Sequence, residues 1–435
     1  MIPVLLFVVA VAMGGDLTLQ RVFEDTLRNN LEIKAMKFEL KAYEREYRSV
    51  SGLLFPTLGI EESFTRTDIP AYALFTKMNQ GRVSPQDFAP ANLRDPSAVS
   101  GFETRFTLQI PLWMGGGIRS RKEASLHTRR AQEKTFRRKR EEILFDAYRA
   151  FLKVSLSKSA VKVAQENLKE AKEHLRVAEK LHSAGVALLS DVLRAQVSLK
   201  KAEEKLREAK NNYRLALKAL SLVANTDYAG ASAPALPSCP SLSLKELKEK
   251  ALRNREDLKA LEERLKALRS GYRATLSENL PQVSAFASYY LYDRDVPFGA
   301  EGSGYLVGLR VSLSFNTGLS TVEKALSYRE RERALLSRRE FMRKSILFEI
   351  EKAFTEYTNA QSAIESAEAR VRSAQESLRI IRSRYRNGLA RIVDLLDSQT
   401  QVELARFDYL QALYRCNLSY GKALLAAGIL EEVLR

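Results

Sequence analysis

His182-Ser183-Ala184-Gly185-Val186-Ala187-Leu188-Leu189-Ser190-Asp191-Val192-Leu193-Arg194-Ala195-Gln196 reads as the end of one helix, a glycine turn and the start of another. The pattern returns as Arg386-Asn387-Gly388-Leu389-Ala390-Arg391-Ile392-Val393-Asp394-Leu395-Leu396-Asp397-Ser398-Gln399. Gly388, Asp394 and Gln399 stand 203 positions after Gly185, Asp191 and Gln196, and Gly318 the same distance after Gly115. Leu27-Arg28-Asn29 and Pro56 recur as Leu252-Arg253-Asn254 and Pro281, but at a spacing of 225. The chain is therefore duplicated, with one length change of 22 residues between positions 57 and 115.

Outward from the two turns, the flanks are helical. Neither Pro nor Gly occurs from Ile118 to Ala184 or from Leu319 to Asn387. At 1.5 Å per residue such runs reach about 100 Å. Ala164, Leu168, Ala171, Leu175, Ala178 and Leu181 recur by alternating steps of four and three, and Val192, Ala195, Leu199, Ala202 and Leu206 continue the pattern on the return. Ala353, Tyr357, Ala360, Ile364, Ala367, Val371, Ala374, Leu378, Ile381 and Tyr385 repeat it in the second copy. A sustained 3.5-residue period predicts coiled-coil pairing, and alternating alanine with a large residue lets antiparallel helices approach closely.

Before each helical run the period changes to two. Phe102, Thr104, Phe106, Leu108, Ile110 and Leu112 alternate with Glu103, Arg105, Thr107 and Gln109. Tyr305, Val307, Leu309, Val311, Leu313 and Phe315 alternate with Gly308, Arg310, Ser312 and Ser314. One face of each strand is apolar and the other wet. A fainter strand precedes each, at Thr57 to Arg66 and from Val283 to Leu291. Leu17 to Val50 is expected as a single helix stopped by Pro56. A long loop with Pro70, Pro85, Pro90 and Pro96 separates the first pair of strands, and a short Gly-rich loop from Asp293 to Gly304 the second.

The expected organisation is a signal peptide at 1–15, a first repeat at 16–227, a linker at 228–242 and a second repeat at 243–435, forming one intertwined unit. Ile2 to Met13 is apolar apart from Pro3 and ends at Gly14 and Gly15, the length of a signal-peptide core and too short to span a membrane. The net charge of +17 rests on 28% charged residues, mostly an alternation of both signs expected on solvated helices. A basic stretch from Arg119 to Arg140 suits a solvated helix face first, and otherwise a lining for anionic cargo or a face toward anionic lipid and cell-wall groups. Cys239 lies in a Pro/Ser linker and Cys416 deep in a helix, so the two are expected to stay unpaired. His127, His174 and His182 lack ligand-spaced partners, so no metal site or cofactor is expected. No nucleophile–base pair or phosphate loop marks an enzyme, and no localised basic-aromatic motif marks a nucleic-acid partner.

Four strands with an apolar face cannot close a membrane barrel alone, because the smallest have eight. Closure by other copies is expected, and helices this long favour three copies over two. With Pro111-Leu112-Trp113-Met114-Gly115-Gly116-Gly117 at a strand exit, Pro56 and Pro281 before strands, Leu17-Thr18-Leu19 with Asn29 and Asn30, and the two Gly…Asp turns, the chain resembles the TolC family of outer-membrane efflux channels over nearly its whole mature length. The fold implied is mainly α with a membrane β-barrel portion: long antiparallel coiled-coil hairpins forming an α-barrel tunnel, and four strands per chain in a trimeric twelve-strand barrel. The function implied is the exit duct of a tripartite efflux or type I secretion system. Its partners would be a homotrimer's other copies, a periplasmic adaptor, an inner-membrane pump and outer-membrane lipid.

The resemblance also implies roles for residues. Asp394 and Asp397 would ring a closed periplasmic aperture. Asp394 has a second reading as the N-cap of the returning helix, the place of Asp191 in the first copy. Tyr385 would latch the aperture to Asp191 and Ser190, or else be only the last large residue of its heptad stripe. The family's arginine two residues after the glycine is Ala390 here, with Arg391 one place later. The tips Gly185, Val186, Leu188, Gly388, Leu389 and Arg391 would dock the adaptor, or form ordinary helix ends. Trp113, Tyr289, Tyr290 and Tyr305 lie near strand ends, where membrane-interface aromatics belong, though plain packing also suits them. A periplasmic coiled-coil adaptor or scaffold would share the heptads but leave the strands without partners.

Overall fold

The computed structural model describes residues 17–434 except Asn316. The signal peptide expected at 1–15 lies outside the described residues. The elements follow the duplicated order: α1 (Leu19–Asn29), α2 (Leu31–Gly52), β1 (Thr57–Thr67), α3 (Pro70–Asn79), α4 (Pro90–Arg94), β2 (Val99–Met114), α5 (Gly117–Ser183) and α6 (Leu189–Ala224). Then come α7 (Leu244–Asn254), α8 (Glu256–Leu276), β3 (Gln282–Asp293), β4 (Gly302–Ser312), α9 (Ser320–Arg386), α10 (Ile392–Ala427) and the short α11 (Leu430–Leu434). Both α5 and α9 run 67 residues without a break. Two compact units result, one from residues 17–40, 132–261 and 338–434, the other from 41–131 and 262–337.

The single helix expected from Leu17 to Val50 is two. Asn30 leaves helical geometry with ψ 129°, and its Oδ1 accepts from the Ile33 N–H at 2.9 Å, starting α2 afresh. Its Nδ2 donates to the Val223 carbonyl at 2.7 Å, tying the break to α6. The second copy breaks between α7 and α8 at Arg255, which is buried and donates to the Ala426 carbonyl and to Glu349. Asparagine offers the backbone an alternative partner, so a distant carbonyl decides whether the helix continues.

The core of the first unit gathers Phe23, Leu144, Leu152, Leu220, Ile350 and Leu424, all essentially solvent-free. The heptad stripes face inward: Ala171, Ala178, Ala195, Ala367, Leu378 and Tyr385 lose nearly all exposure, and Leu168, Leu175, Leu199, Ile364 and Val371 between them are half-buried. Gly421 shows how close the helices come, since a Cβ there would collide with the Tyr148 ring.

The cysteines are paired, contrary to expectation. Cys239 and Cys416 form a disulfide with Cα atoms 5.9 Å apart. The linker is not a free strand of chain but lies pinned along the helices. The Asn417 side chain donates to the Pro237 carbonyl at 2.9 Å, and the Tyr357 hydroxyl to the Pro240 carbonyl at 2.7 Å. These bonds place the sulfur atoms together.

In the second unit the strands form one antiparallel sheet in chain order, β1-β2-β3-β4. Direct partners share a face, so Ile60, Phe106, Tyr289 and Tyr305 make one row, and Leu58, Leu108, Ala287 and Val307 the next. Glu61, Arg105 and Tyr290 form a row on the opposite face. The register slips between Pro111 and Trp113, so that Trp113, not Leu112, pairs with Val283 and joins the apolar face. Proline has no N–H for the ladder, which makes a bulge cheap there. The proline-rich stretch between β1 and β2 is also more ordered than a loop. Pro70 opens α3, Pro85 a 3-10 turn and Pro90 α4, each at a first-turn position where the missing N–H costs nothing.

Candidate functional site

The hairpin ends are built alike. Gly185 (φ 73°) and Gly388 (φ 74°) adopt the left-handed conformation that only glycine takes cheaply. Val186 N–H then reaches the Leu181 carbonyl and Gly185 N–H that of His182, while Leu389 and Gly388 do the same with Arg384 and Tyr385. Both helices thus end in paired Schellman bonds that satisfy their last carbonyls. In the first turn the His182 ring also contacts the Ala187 carbonyl at 2.9 Å. Leu188 (71% exposed) and Leu389 (76%) project from the turns, as does Val186, and Arg391 is exposed beside them.

Neither aspartate is an N-cap. Leu188 and Arg391 hold that place, and Asp191 and Asp394 sit three residues on. Asp394 reaches back to the Arg391 N–H at 3.2 Å and to its guanidinium at 3.3 Å. The Arg391 side chain, then its backbone N–H, holds the Asp394 carboxyl below the usual carboxylate range. Asp397, one turn further, is exposed and lines a groove of about 450 Å³ between α6 and α10, opposite Arg194 and Lys201.

Tyr385 is buried at the end of α9 among Leu378, Ile392 and Leu395. Burial, and then the nearby Asp191 charge, pushes its hydroxyl up from the ordinary tyrosine value. That hydroxyl has no hydrogen-bond partner among the described residues. Ser190 is exposed at the start of α6. Tyr385 and Asp191 are thus brought together electrostatically without a bond between them.

A polar cluster that the heptads concealed lies further along α5. His174, 3% exposed, meets Gln399 of α10 at 3.4 Å, with Arg382 of α9 and Glu170 of α5 close enough to act on its charge. Arg382 pairs with Glu170 at 3.5 Å. Asn167 is buried one heptad before His174, and this seven-residue polar spacing is the trace the cluster leaves in the sequence. Burial depresses the His174 pKa below 6.5. The unfolded chain therefore binds the proton first, so native stability is full above about pH 6.5 and falls as pH drops from there through the lower native value. His174→Gln should flatten melting temperature between pH 7 and 5; an unaltered pH profile would refute this.

The basic stretch on α5 is largely paired: Lys134 with Glu256, Arg138 with Glu141, and His127 with Glu263. On the sheet, Tyr289 and Tyr305 share the apolar face, and Trp113 joins it after the bulge. Tyr290, expected with them, lies on the polar face, beneath the Arg105 guanidinium and stacked on Tyr292. Adjacent strand residues cannot share a face. Leu58, Ile60 and Phe64 on β1, with Tyr305, Val307, Leu309 and Val311 on β4, remain largely exposed. Both are edge strands. Among the described residues no helix is long and apolar enough to cross a membrane, and no side-chain cluster suits a metal ion.

A sheet with one apolar face and two open edges, joined to two very long helical hairpins, defines a channel-forming protein of the outer membrane. The chain matches the model of the outer membrane efflux protein family over residues 22–226 and 247–420, and it belongs to that family. It is 23% identical over 422 residues to the probable efflux pump outer membrane protein TtgC of Pseudomonas putida, covering 93% of this chain and 80% of that one. A membrane protein from Pseudomonas aeruginosa has the same fold, with a TM-score of 0.77, 18% identity, and 94% and 93% of the two chains covered. The outer membrane protein VceC of Vibrio cholerae gives 0.76 and 18%, covering 94% and 96%. As a TolC-type channel the protein is a non-catalytic duct of a tripartite efflux or secretion system, reaching from the outer membrane into the periplasm.

Proposed function

We propose that three copies of this chain close edge to edge, β4 of one against β1 of the next, into a twelve-strand barrel. The open edges and exposed apolar rows carry this reading, since lipid leaves no backbone group unpaired. Trp113, Tyr289 and Tyr305 lie at the membrane interface, while Tyr290 faces the lumen. At the hairpin turns, three pairs of Asp394 and Asp397 ring the aperture, with Tyr385, Asp191 and Ser190 as its latch. The unpartnered Tyr385 hydroxyl supports a bond that a neighbouring copy or a bound water completes. Gly185, Val186, Leu188, Gly388, Leu389 and Arg391 dock a periplasmic adaptor, which couples the duct to an inner-membrane pump. The relative TtgC is named for an efflux pump, and we assign this chain to efflux in the same way.

A cysteine at Leu309 of β4, combined in turn with one at Leu58, Ile60 or Phe64 of β1, tests the closure. One register should give an interchain ladder ending at three chains. A ladder ending at two, or none in any register, would overturn it.

A further inference from the structure

The segment between β1 and β2 turns over one particular face of the sheet. Gln80, almost fully buried, donates through Nε2 to the Asp293 carbonyl at 3.2 Å and the Ser100 carbonyl at 3.3 Å, and its Oε1 accepts from Arg82 at 2.8 Å. A Cβ at Gly101 would collide with the Gln80 amide, and one at Gly302 with the Asn79 carbonyl. Gly101 shares its face with Glu103 and Arg105, and Gly302 is in row with Tyr292 and Glu103. These are the polar-face rows. Two missing side chains therefore let the end of α3 seat on the polar side of the strand ends, the side that becomes lumen when the sheet closes.

The segment is clasped internally as well. Lys77 pairs with Asp87 at 2.6 Å, and Asp87 accepts from the Ser84 N–H and hydroxyl. Ala73 is buried, alongside Asp87, Asn92 and Pro96. The opposite side of α3 presents Tyr72 (65% exposed), Phe75 (58%) and Met78. Phe298, in the neighbouring β3–β4 connection, is exposed too and held at φ 56°. A clasped helix with exposed aromatics on its far side is suited to a protein surface rather than to water.

We propose that α3 is an inward lid, and that Tyr72, Phe75 and Met78 of three copies meet over the outer mouth as a second, apolar barrier. The partner is a second copy of this chain, so the inference rests on the trimer reading. Size favours that occupant. Twelve strands spaced about 4.8 Å and tilted about 35–45° enclose a circle roughly 22–26 Å across. Three helices of about 10–12 Å diameter need a circle of about the same width. Such an apolar constriction excludes water and ions without any charged gate.

Because both native cysteines are bonded to each other, Phe75→Cys carries a unique thiol, and Tyr72→Cys a second choice. In outer-membrane vesicles treated with a short bismaleimide, either should give a covalent pair of chains in most trimers. Tyr72→Ser with Phe75→Ser and Met78→Ser should raise single-channel conductance about twofold or more. Intact trimers with neither crosslink nor conductance change overturn the lid and leave the trimer standing. Absence of trimers on the same gels overturns both.

Discussion

Asp394→Ala with Asp397→Ala is expected to raise the concentration of trivalent cation needed to half-block the channel by about tenfold or more in planar bilayers, because rings of like charge concentrate counterions to that extent. The reasoning follows the neighbours of each carboxylate. Asp394 is bonded to Arg391, and Asp397 shares its groove with Arg194 and Lys201. In the proposed trimer, removing both carboxylates from each copy leaves those cations uncompensated, so an aperture lined by them would change from attracting cations to repelling them. Asp397→Ala alone should have the larger part of the effect, since the Arg391 guanidinium already neutralises much of Asp394. Equal block in the double variant and the parent would remove the aspartates from the aperture.

Cys239→Ser with Cys416→Ser should cost about 4 kcal/mol of stability, the upper end of the usual range, because the bridge closes a long loop. The separation is 177 residues, so breaking it restores much freedom to the unfolded chain. The bonds from Asn417 and Tyr357 to the linker survive the change, which should leave the native fold formed but the linker less firmly held. The expected readouts are a lower thermal midpoint and protease cleavage near residue 239 under native conditions. A variant with the same midpoint and no new cleavage would show that the remaining bonds hold the linker by themselves.

Much of the fold was legible because its elements declare themselves locally. Period two at Phe102 to Ile110 marks a strand wherever it lies, and the step of four and three through Ala164 to Leu181 marks a coiled-coil helix. Gly185 and Gly388 end their helices for a reason internal to the backbone. The proline-rich segment misled because proline interrupts a helix yet also begins one, and only the surrounding hydrogen bonds distinguish the two. Tyr290 was grouped with Tyr289 by position near a strand end, although alternation alone already separates their faces. That His174 and Asn167 are buried is not legible in the sequence, because one polar residue beside an apolar stripe says nothing about which helix covers it.

By itself, the sequence determined the duplication, the strand faces and the hairpin turns, since periodicity and glycine geometry act over a few residues. Tertiary structure alone decided the Cys239–Cys416 bridge, the breaks at Asn30 and Arg255, the His174–Gln399 contact and the seat of Gln80 at Gly101. Each of these joins groups far apart in the chain or depends on a carbonyl supplied by another element. Such contacts follow from which surfaces meet in three dimensions, which no local pattern of residues encodes.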